Sequence, residues 1–201
     1  MSAPAARSPL TRPRPRGEAI GVCSSTGGPA VLTEVLGALP ADFPLPVLVV
    51  QHIADGFIDG LVRMLDDAIP LPVAIAADGA PLDPGVWLAP EGAHLTVTRA
   101  RRMRLDRETV RGRHRPSADL LLESLAAVLG DGAVAVVLTG MGRDGAEGAA
   151  AIAARGGLVL AQDEASSSIY GMPRAAVQAG ARSLSPRAIA EALRELTPPA
   201  R

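Results

Sequence analysis

Short apolar runs alternate with segments of helical periodicity along most of this 201-residue chain. The runs are apolar at successive positions, as is typical of strands buried on both faces of a sheet. They are AIGVCS (19–24), PVLVVQHI (46–53), PVAIAA (72–77), VWLAP (86–90), AVAVVLTG (133–140) and LVLAQ (158–162). Because parallel strands are joined by crossovers that are usually helical, this alternation predicts a doubly wound, mainly parallel α/β sheet with helices on both faces.

The connecting segments place apolar residues three and four positions apart, as amphipathic helices do. Such segments cover residues 29–39, 57–69, 117–130, 145–156 and 185–196. Residues 94–110 differ, because they alternate with period two and carry many charges. We expect an exposed antiparallel hairpin appended to the sheet, with arginines that are more typical of a solvated face than of a binding patch.

The two ends of the chain lack both patterns. Residues 1–17 are rich in proline and arginine and predict a disordered tail, with a basic docking arm as the alternative. Residues 197–201 form a short C-terminal tail. The hydrophobic content of 48% is sufficient for a globular core, so we expect one domain over residues 18–196.

Charge and cysteine content exclude several function classes. The net charge of −1 does not favour nucleic-acid binding, and no apolar run approaches the length of a membrane span. The N-terminus lacks a signal-peptide pattern. Cys23 is the only cysteine and lies in an apolar run, so we expect a small buried side chain. These features predict a cytoplasmic protein without membrane insertion; the exclusive use of arginine among the 20 basic residues is typical of GC-rich bacteria.

Polar side chains follow three of the predicted strands, where open parallel sheets bind their ligands. Ser24 and Ser25 end the first strand, His52 follows the second, and Asp144 follows AVAVVLTG in the turn MGRDG. A hydroxyl, an imidazole and a carboxylate are sufficient for nucleophilic acyl chemistry. Each also has a simpler interpretation: a helix start, a structural histidine and an Asp-Gly turn.

Other site motifs are missing from the sequence. There is no G-x-x-x-x-G-K-[ST], no G-x-G-x-x-G after the first strand, no G-x-S-x-G and no histidine pair at metal-ligand spacing. We therefore expect neither a cofactor nor a metal. The residues alone leave two classes open: a serine hydrolase, or a non-enzymatic flavodoxin-like module whose glycine turn binds phosphate or another anion.

Five segments occur in an order that resembles a known family. They are SSTGGP (24–29), QHIADGF (51–57), RHRPSADLLLESLA (113–126), VVLTGMGRDGAEG (136–148) and AQDEASSSIYGMPRAA (161–176). Together they resemble the catalytic domain of the chemotaxis-type protein-glutamate methylesterases (CheB-like), over residues 18–196. The resemblance implies hydrolysis of γ-glutamyl methyl esters on chemoreceptors and, in many members, deamidation of receptor glutamines.

The resemblance also implies roles for individual residues. The serine directly before Thr-Gly-Gly is the nucleophile, which selects Ser25 over Ser24. The histidine after the glutamine that ends the second strand, His52, is the base. The aspartate of the Met-Gly-x-Asp-Gly motif, Asp144, orients that base.

Four further residues are expected around this triad. The backbone amides of Thr26 and Met141 are the expected oxyanion donors. Arg115 in RHRPS and Met172 in YGMPR are candidate substrate-pocket residues, with a purely structural role as the alternative for each.

The sequence departs from the family pattern at three places. Ala54 and Asp55 stand where relatives commonly have two prolines, and Arg143 stands where asparagine is common. Residues 1–17 do not resemble the receiver domain that chemotaxis members usually carry. We expect a stand-alone catalytic domain acting on a methylated chemoreceptor, either unregulated in cis or regulated by a separate response regulator, unless the chain is a fragment.

Overall fold

A seven-stranded parallel sheet lies at the centre of the computed structural model, which describes residues 17–112 and 114–196. Its strands are β1 (Ala19–Ser24), β2 (Pro46–Gln51), β3 (Val73–Ile75), β4 (Gly85–Leu88), β7 (Ala133–Val137), β8 (Leu158–Gln162) and β9 (Arg182–Leu184). Their spatial order is β3-β4-β2-β1-β7-β8-β9. The chain passes from β1 to β2 on one side of β1 and later reaches β7 on the other side, which places a topological switch point at the carboxyl end of β1.

In the described part of the chain, six α-helices cover the two faces of the sheet. They are α1 (Gly28–Gly37), α2 (Ile58–Ala68), α3 (Ala118–Leu129), α4 (Ala146–Ala154), α5 (Met172–Gln178) and α6 (Pro186–Arg194). One hydrophobic core lies under α1, α2 and α6, and a second lies under α3, α4 and α5. The doubly wound α/β fold is therefore confirmed.

Strand β1 explains why the apolar runs lack alternation. Ile20 and Val22 pack into one core, whereas Ala19 and Cys23 pack into the other. Every position of the strand is buried. A strand that faces two cores must be apolar throughout, and burial of Cys23 agrees with its expected role as a small core residue.

The predicted hairpin is present as β5 (His94–Val97) and β6 (Met103–Asp106), which pair antiparallel in a separate sheet. It is exposed on one face only. Leu95, Val97 and Met103 are buried in the second core. The period-two pattern thus describes a half-buried ribbon rather than a fully exposed one.

Strand β9, helix α5 and the short 3₁₀ helix Gly130–Gly132 were not predicted. The predicted tails lie outside the described residues, except for Gly17. That glycine is buried, and a Cβ placed on it would lie 2.9 Å from Leu45 Cδ1 and 3.2 Å from Leu196 Cδ1.

Within residues 17–112 and 114–196, no helix has the length and apolar character needed to cross a membrane.

Candidate active site

Ser25 and His52 occupy neighbouring positions just beyond the ends of β1 and β2. The strands pair up to Ser24 opposite Gln51, and the His52 N–H donates to the Ser24 carbonyl at 2.9 Å. On the other side of β1, the Ser25 N–H donates to the carbonyl of Thr139 at 3.0 Å. The backbone therefore fixes Ser25 between the ends of β2 and β7, next to His52.

The two adjacent serines have different environments. Ser24 is fully buried, and its Oγ donates to Gln51 Oε1 at 2.6 Å. The Gln51 amide in turn donates to the carbonyls of Ser25 and His52, at 2.9 and 2.8 Å. Ser25 is partly exposed, and no hydrogen bond to its Oγ is found within the described ranges. Ser24 thus braces the turn, whereas the Ser25 hydroxyl remains available to a substrate.

Glycine is required around Ser25 for two physical reasons. Gly27 has φ of 81°, a left-handed conformation that side chains disfavour, and it precedes helix α1. Gly140 packs against the serine itself. A Cβ on Gly140 would lie 2.8 Å from Ser25 Cβ and 2.4 Å from Met172 Sδ. The turn can therefore present Ser25 only because these two positions lack side chains.

His52 forms a buried pair with Asp144. Its Nε2 lies 2.9 Å from Asp144 Oδ2, and the two side chains are 9% and 12% exposed. The two atoms are in contact, although the ring N–H is not aligned as a linear hydrogen bond requires. Nδ1 is buried without a hydrogen-bond partner among the described residues. Nδ1 is therefore the ring nitrogen that is free to accept a proton from a hydroxyl.

Asp144 is held by the first turn of helix α3. Its Oδ2 accepts from the Ala118 N–H at 2.8 Å, and its Oδ1 accepts from the Asp119 N–H at 3.0 Å and from Ser117 Oγ at 3.1 Å. Burial raises the pKa of Asp144, but the contact with His52 and the hydrogen bonds from these backbone donors lower it by more. They hold the pKa of Asp144 well below its ordinary value, so the carboxylate remains ionised.

Ser117, the N-cap residue of helix α3, is held in place by a buried histidine. The Ser117 N–H donates to His94 Nδ1 at 3.0 Å, and His94 Nε2 lies 3.1 Å from the Thr109 carbonyl. His94 is fully buried, and these partners place its proton on Nε2. Sequence reasoning did not single out Ser117 or Asp119. The Ser-Ala-Asp start of the helical pattern is a capping signal that indicates a helix N-terminus there.

The expected oxyanion donors flank the nucleophile. Thr26 follows Ser25 in the chain, and Met141 lies beyond β7, next to Gly140. Neither backbone N–H has a hydrogen-bond partner in the part of the chain that the structure describes. Both amides thus remain predicted donors for a charge that develops at the substrate carbonyl.

The two candidate pocket residues occupy different environments. Arg115 is exposed and borders a cavity of about 190 Å³ together with His52 and Asp55. Its guanidinium donates to the carbonyls of Arg107 and Thr109, both at 2.9 Å, so it also braces its own loop. Met172 is fully buried. It therefore offers no surface to a substrate in this structure, and it supports the segment that contains Gly140.

Asp144 borders a larger cavity, of about 430 Å³. Arg143, the departure from the family pattern, is exposed and borders it. His114 also borders it and stacks on the His52 ring, with centroids 4.1 Å apart. Over the described ranges, no group of at least three His, Cys, Asp or Glu side chains is arranged to hold a metal ion.

Comparison with known proteins identifies close similarities. A model of the CheB methylesterase family matches residues 20–193. Protein-glutamate methylesterase/protein-glutamine glutaminase 4 of Myxococcus xanthus (strain DK1622) is 50% identical over 161 residues, covering 80% of this chain and 46% of that protein. The enzyme numbered 3 of Anaeromyxobacter dehalogenans (strain 2CP-C) is 50% identical over 184 residues, covering 89% of this chain and 54% of that protein.

A solved structure is similar as well. The crystal structure of the Thermotoga maritima CheB methylesterase catalytic domain superposes with a TM-score of 0.86 at 36% identity. The match covers 90% of this chain and 99% of that one. The chain spans about half the length of the curated relatives it matches.

Proposed function

The chain belongs to the CheB methylesterase family, and on that premise we propose that it hydrolyses methyl esters of glutamyl side chains on chemoreceptor-type proteins. The pathway is chemotaxis or a related signalling system. The observation that carries this proposal is the convergence of Ser25, His52 and an ionised Asp144 at one edge of the sheet. Glutamine deamidation uses the same acyl chemistry, and the names of the curated relatives include it.

The first half of the reaction acylates Ser25. His52 accepts the Ser25 hydroxyl proton at Nδ1 while Oγ forms a bond to the ester carbonyl carbon. The carbonyl electron pair moves to oxygen, where the N–H groups of Thr26 and Met141 stabilise the negative charge. Asp144 stabilises the imidazolium that forms, which its low pKa allows because it remains a carboxylate.

The second half regenerates the enzyme. The imidazolium donates its proton to the departing methoxide, so methanol leaves and the acyl-enzyme remains. Water then attacks the acyl carbon as His52 accepts its proton. Collapse of this intermediate returns the proton to Ser25 Oγ and releases the glutamate carboxylate. With a glutamine substrate, ammonia leaves in place of methanol.

The surface around Ser25 is suited to a protein substrate. Met141, beside the nucleophile, is 72% exposed, and Phe57, on the loop that follows His52, is 62% exposed. Apolar side chains at the rim of a polar site are typical of protein contacts. We propose a cytoplasmic receptor segment as substrate, with a separate response regulator as a further partner. A bare anion-binding module would give the His52–Asp144 pair no role.

Methanol release tests the proposed function. Receptor that has been methylated with a radiolabelled methyl group is incubated with the wild-type chain and with His52→Gln. We expect labelled methanol from the wild type and a background rate from the variant, since glutamine cannot act as the base. Equal release by both proteins, or none by the wild type from any methylated receptor, would contradict the proposal.

A further inference from the structure

Helices α3 and α4 exchange their N-terminal caps through two aspartates. Asp144 precedes α4, yet it accepts the N–H groups of Ala118 and Asp119 at the start of α3. Asp119 lies in the first turn of α3, yet its Oδ1 accepts the N–H groups of Gly145 and Gly148, both at 2.9 Å. Asp144 thus caps α3, the helix that contains Asp119. Asp119 in turn caps α4, the helix that begins just after Asp144.

The exchange is rigid because the two helices touch at this point. A Cβ on Gly148 would lie 2.4 Å from Leu122 Cβ and 2.9 Å from the Asp119 carbonyl oxygen. Gly145, the N-cap of α4, provides no capping side chain of its own. Asp119 therefore supplies the cap that α4 lacks, and neither helix end can shift without moving the other.

The charge on Asp119 is poorly compensated. Burial and the nearby negative charges of Asp144 and Glu147 raise the pKa of Asp119 to about 6, although the hydrogen bond from Gly148 opposes the shift. The charge of Arg111 interacts with that of Asp119, but the Arg111 guanidinium is bound to the carboxylates of Glu123 and Glu147. Asp119 is thus a second negative charge close to the His52–Asp144 pair.

The other charged groups around this carboxylate come from the loop before α3 and from the start of α4. They border the cavity of about 430 Å³ and include Arg111, His114, Arg143, Asp144 and Glu147. Arg111 is already bound to Glu123, at 2.9 Å between Nη1 and Oε2, and to Glu147, at 2.8 Å. It therefore does not act as a dedicated partner of Asp119.

We propose that Asp119 is a positioning residue of this active site, a role that rests on the hydrolase function proposed above. It fixes Asp144 by joining the N-termini of α3 and α4, and its negative charge helps to set the pH range in which His52 accepts a proton. The negative charge favours the imidazolium form of His52. Removing it therefore allows His52 to become neutral, and hence active, at lower pH.

The test compares two variants of Asp119 with a matched control. Asp119→Asn removes the charge but keeps an oxygen that accepts the N–H groups of Gly145 and Gly148. Asp119→Ala removes both the charge and the acceptor. Glu123→Gln removes one negative charge from the same helix, at a residue whose described contact is with Arg111 rather than with Asp144.

The readout is kcat/KM for a small carboxylic ester from pH 5 to 9. With Asp119→Asn we expect the acid limb to move down by about 0.5 pH unit and the plateau to fall less than in Asp119→Ala, because the amide oxygen still accepts the N–H groups of Gly145 and Gly148. With Asp119→Ala we expect the plateau to fall about 10- to 100-fold, because Asp144 loses its fixed position. Glu123→Gln should reproduce the wild-type profile.

A proton NMR titration of the His52 ring provides a readout that is independent of turnover. We expect the His52 resonance in Asp119→Asn to titrate at lower pH than in the wild type. An unchanged titration in this variant, or a wild-type plateau in Asp119→Ala, would overturn the positioning role. If the wild type hydrolyses no ester while the His52 titration still shifts in Asp119→Asn, the proposed function fails, but the electrostatic coupling between Asp119 and His52 stands.

Discussion

The nucleophile turn, residues 25–28, and the carboxylate pocket, residues 117–119 with Asp144, are built in opposite ways. In the turn, backbone groups make the contacts: the Ser25 N–H donates to Thr139, and the Ser25 carbonyl accepts from Gln51 and from Gly28. In the pocket, both oxygens of Asp144 accept hydrogen bonds. The turn leaves the Ser25 hydroxyl without a hydrogen bond among the described residues, whereas the pocket surrounds the Asp144 carboxylate with hydrogen-bond donors.

The chemistry of each group accounts for this difference. A buried carboxylate stays ionised only where donors replace the water it has lost. A nucleophilic hydroxyl must instead keep its oxygen accessible, so its position has to be fixed through the main chain. We therefore expect substitutions in the turn to act in an all-or-none manner, and substitutions in the pocket to give graded losses.

The largest expected effect separates the two adjacent serines. Ser25→Ala should lower methanol release about 10⁶-fold with the fold intact, as loss of a nucleophile does in comparable triads. Ser24→Ala should keep nearly wild-type turnover but lose about 1–3 kcal/mol of unfolding free energy, because it leaves Gln51 Oε1 buried without its donor. Turnover and urea denaturation on both variants check this pair, and a Ser24→Ala enzyme without activity would reverse the assignment.

Asp144→Asn should be less severe than Ser25→Ala. An amide cannot stabilise the imidazolium, and its NH₂ group would face the N–H donors of Ala118 or Asp119. We expect a loss of up to about 10⁴-fold in kcat, as for the corresponding change in other triads. The same methanol assay measures it. A variant with wild-type turnover would show that Asp144 serves the helix only and not His52.

Gly140→Ala tests the packing beneath the nucleophile. The new Cβ would meet Ser25 Cβ and Met172 Sδ at contact distances that force one of them to move. We expect kcat to fall about 10²-fold through displacement of Ser25. Gly60→Ala, in α2, is the matched control, because a Cβ there meets nothing within 4 Å. Equal activity of the two variants would indicate that the turn is less tightly fixed than the structure shows.

The smallest effect concerns stability and pH. The folded pKa of Asp144 is lowered, so its stabilising contribution is present above the ordinary aspartate pKa of about 4 and is lost as the pH falls towards the folded value. The difference in Tm between wild type and Asp144→Asn should therefore be largest near neutral pH. It should become smaller as the pH falls below about 4.

Asp119 should show the opposite sign in the same measurement. Its folded pKa of about 6 lies above the ordinary value, so its contribution to stability falls as the pH rises through about 6. Relative to wild type, Asp119→Asn should thus gain Tm as the pH increases from 4 to 8. Parallel pH dependences for the two variants would contradict the difference in environment between these carboxylates.

Much of the fold was predictable because the sheet is buried on both faces. Runs such as residues 133–138 are apolar throughout and mark strands directly. Strand β9 was not predicted, because its three residues form an exposed edge, with Arg182 and Ser183 facing solvent. Helix α5 is only seven residues long, and its pattern is too short to be recognised.

The candidate site was predictable to the extent that its residues end strands. Ser25, His52 and Asp144 each follow an apolar run, and their roles remain predictions that the geometry supports. Asp119 was not predictable, because its carboxylate caps a helix that begins 27 residues later in the sequence. A capping pattern indicates where a helix starts, but it does not indicate which distant helix a side chain will reach.

Chemical labelling distinguishes Ser25 from the other serines of the chain as the nucleophile. The folded protein is treated with a fluorophosphonate, which phosphonylates activated serines, and the modified residue is located by peptide mass spectrometry. We expect a single adduct on Ser25, strongly slowed labelling in His52→Gln, and none in Ser25→Ala. An adduct on Ser24, or undiminished labelling of Ser25→Ala, would contradict the assignment of Ser25 as the nucleophile.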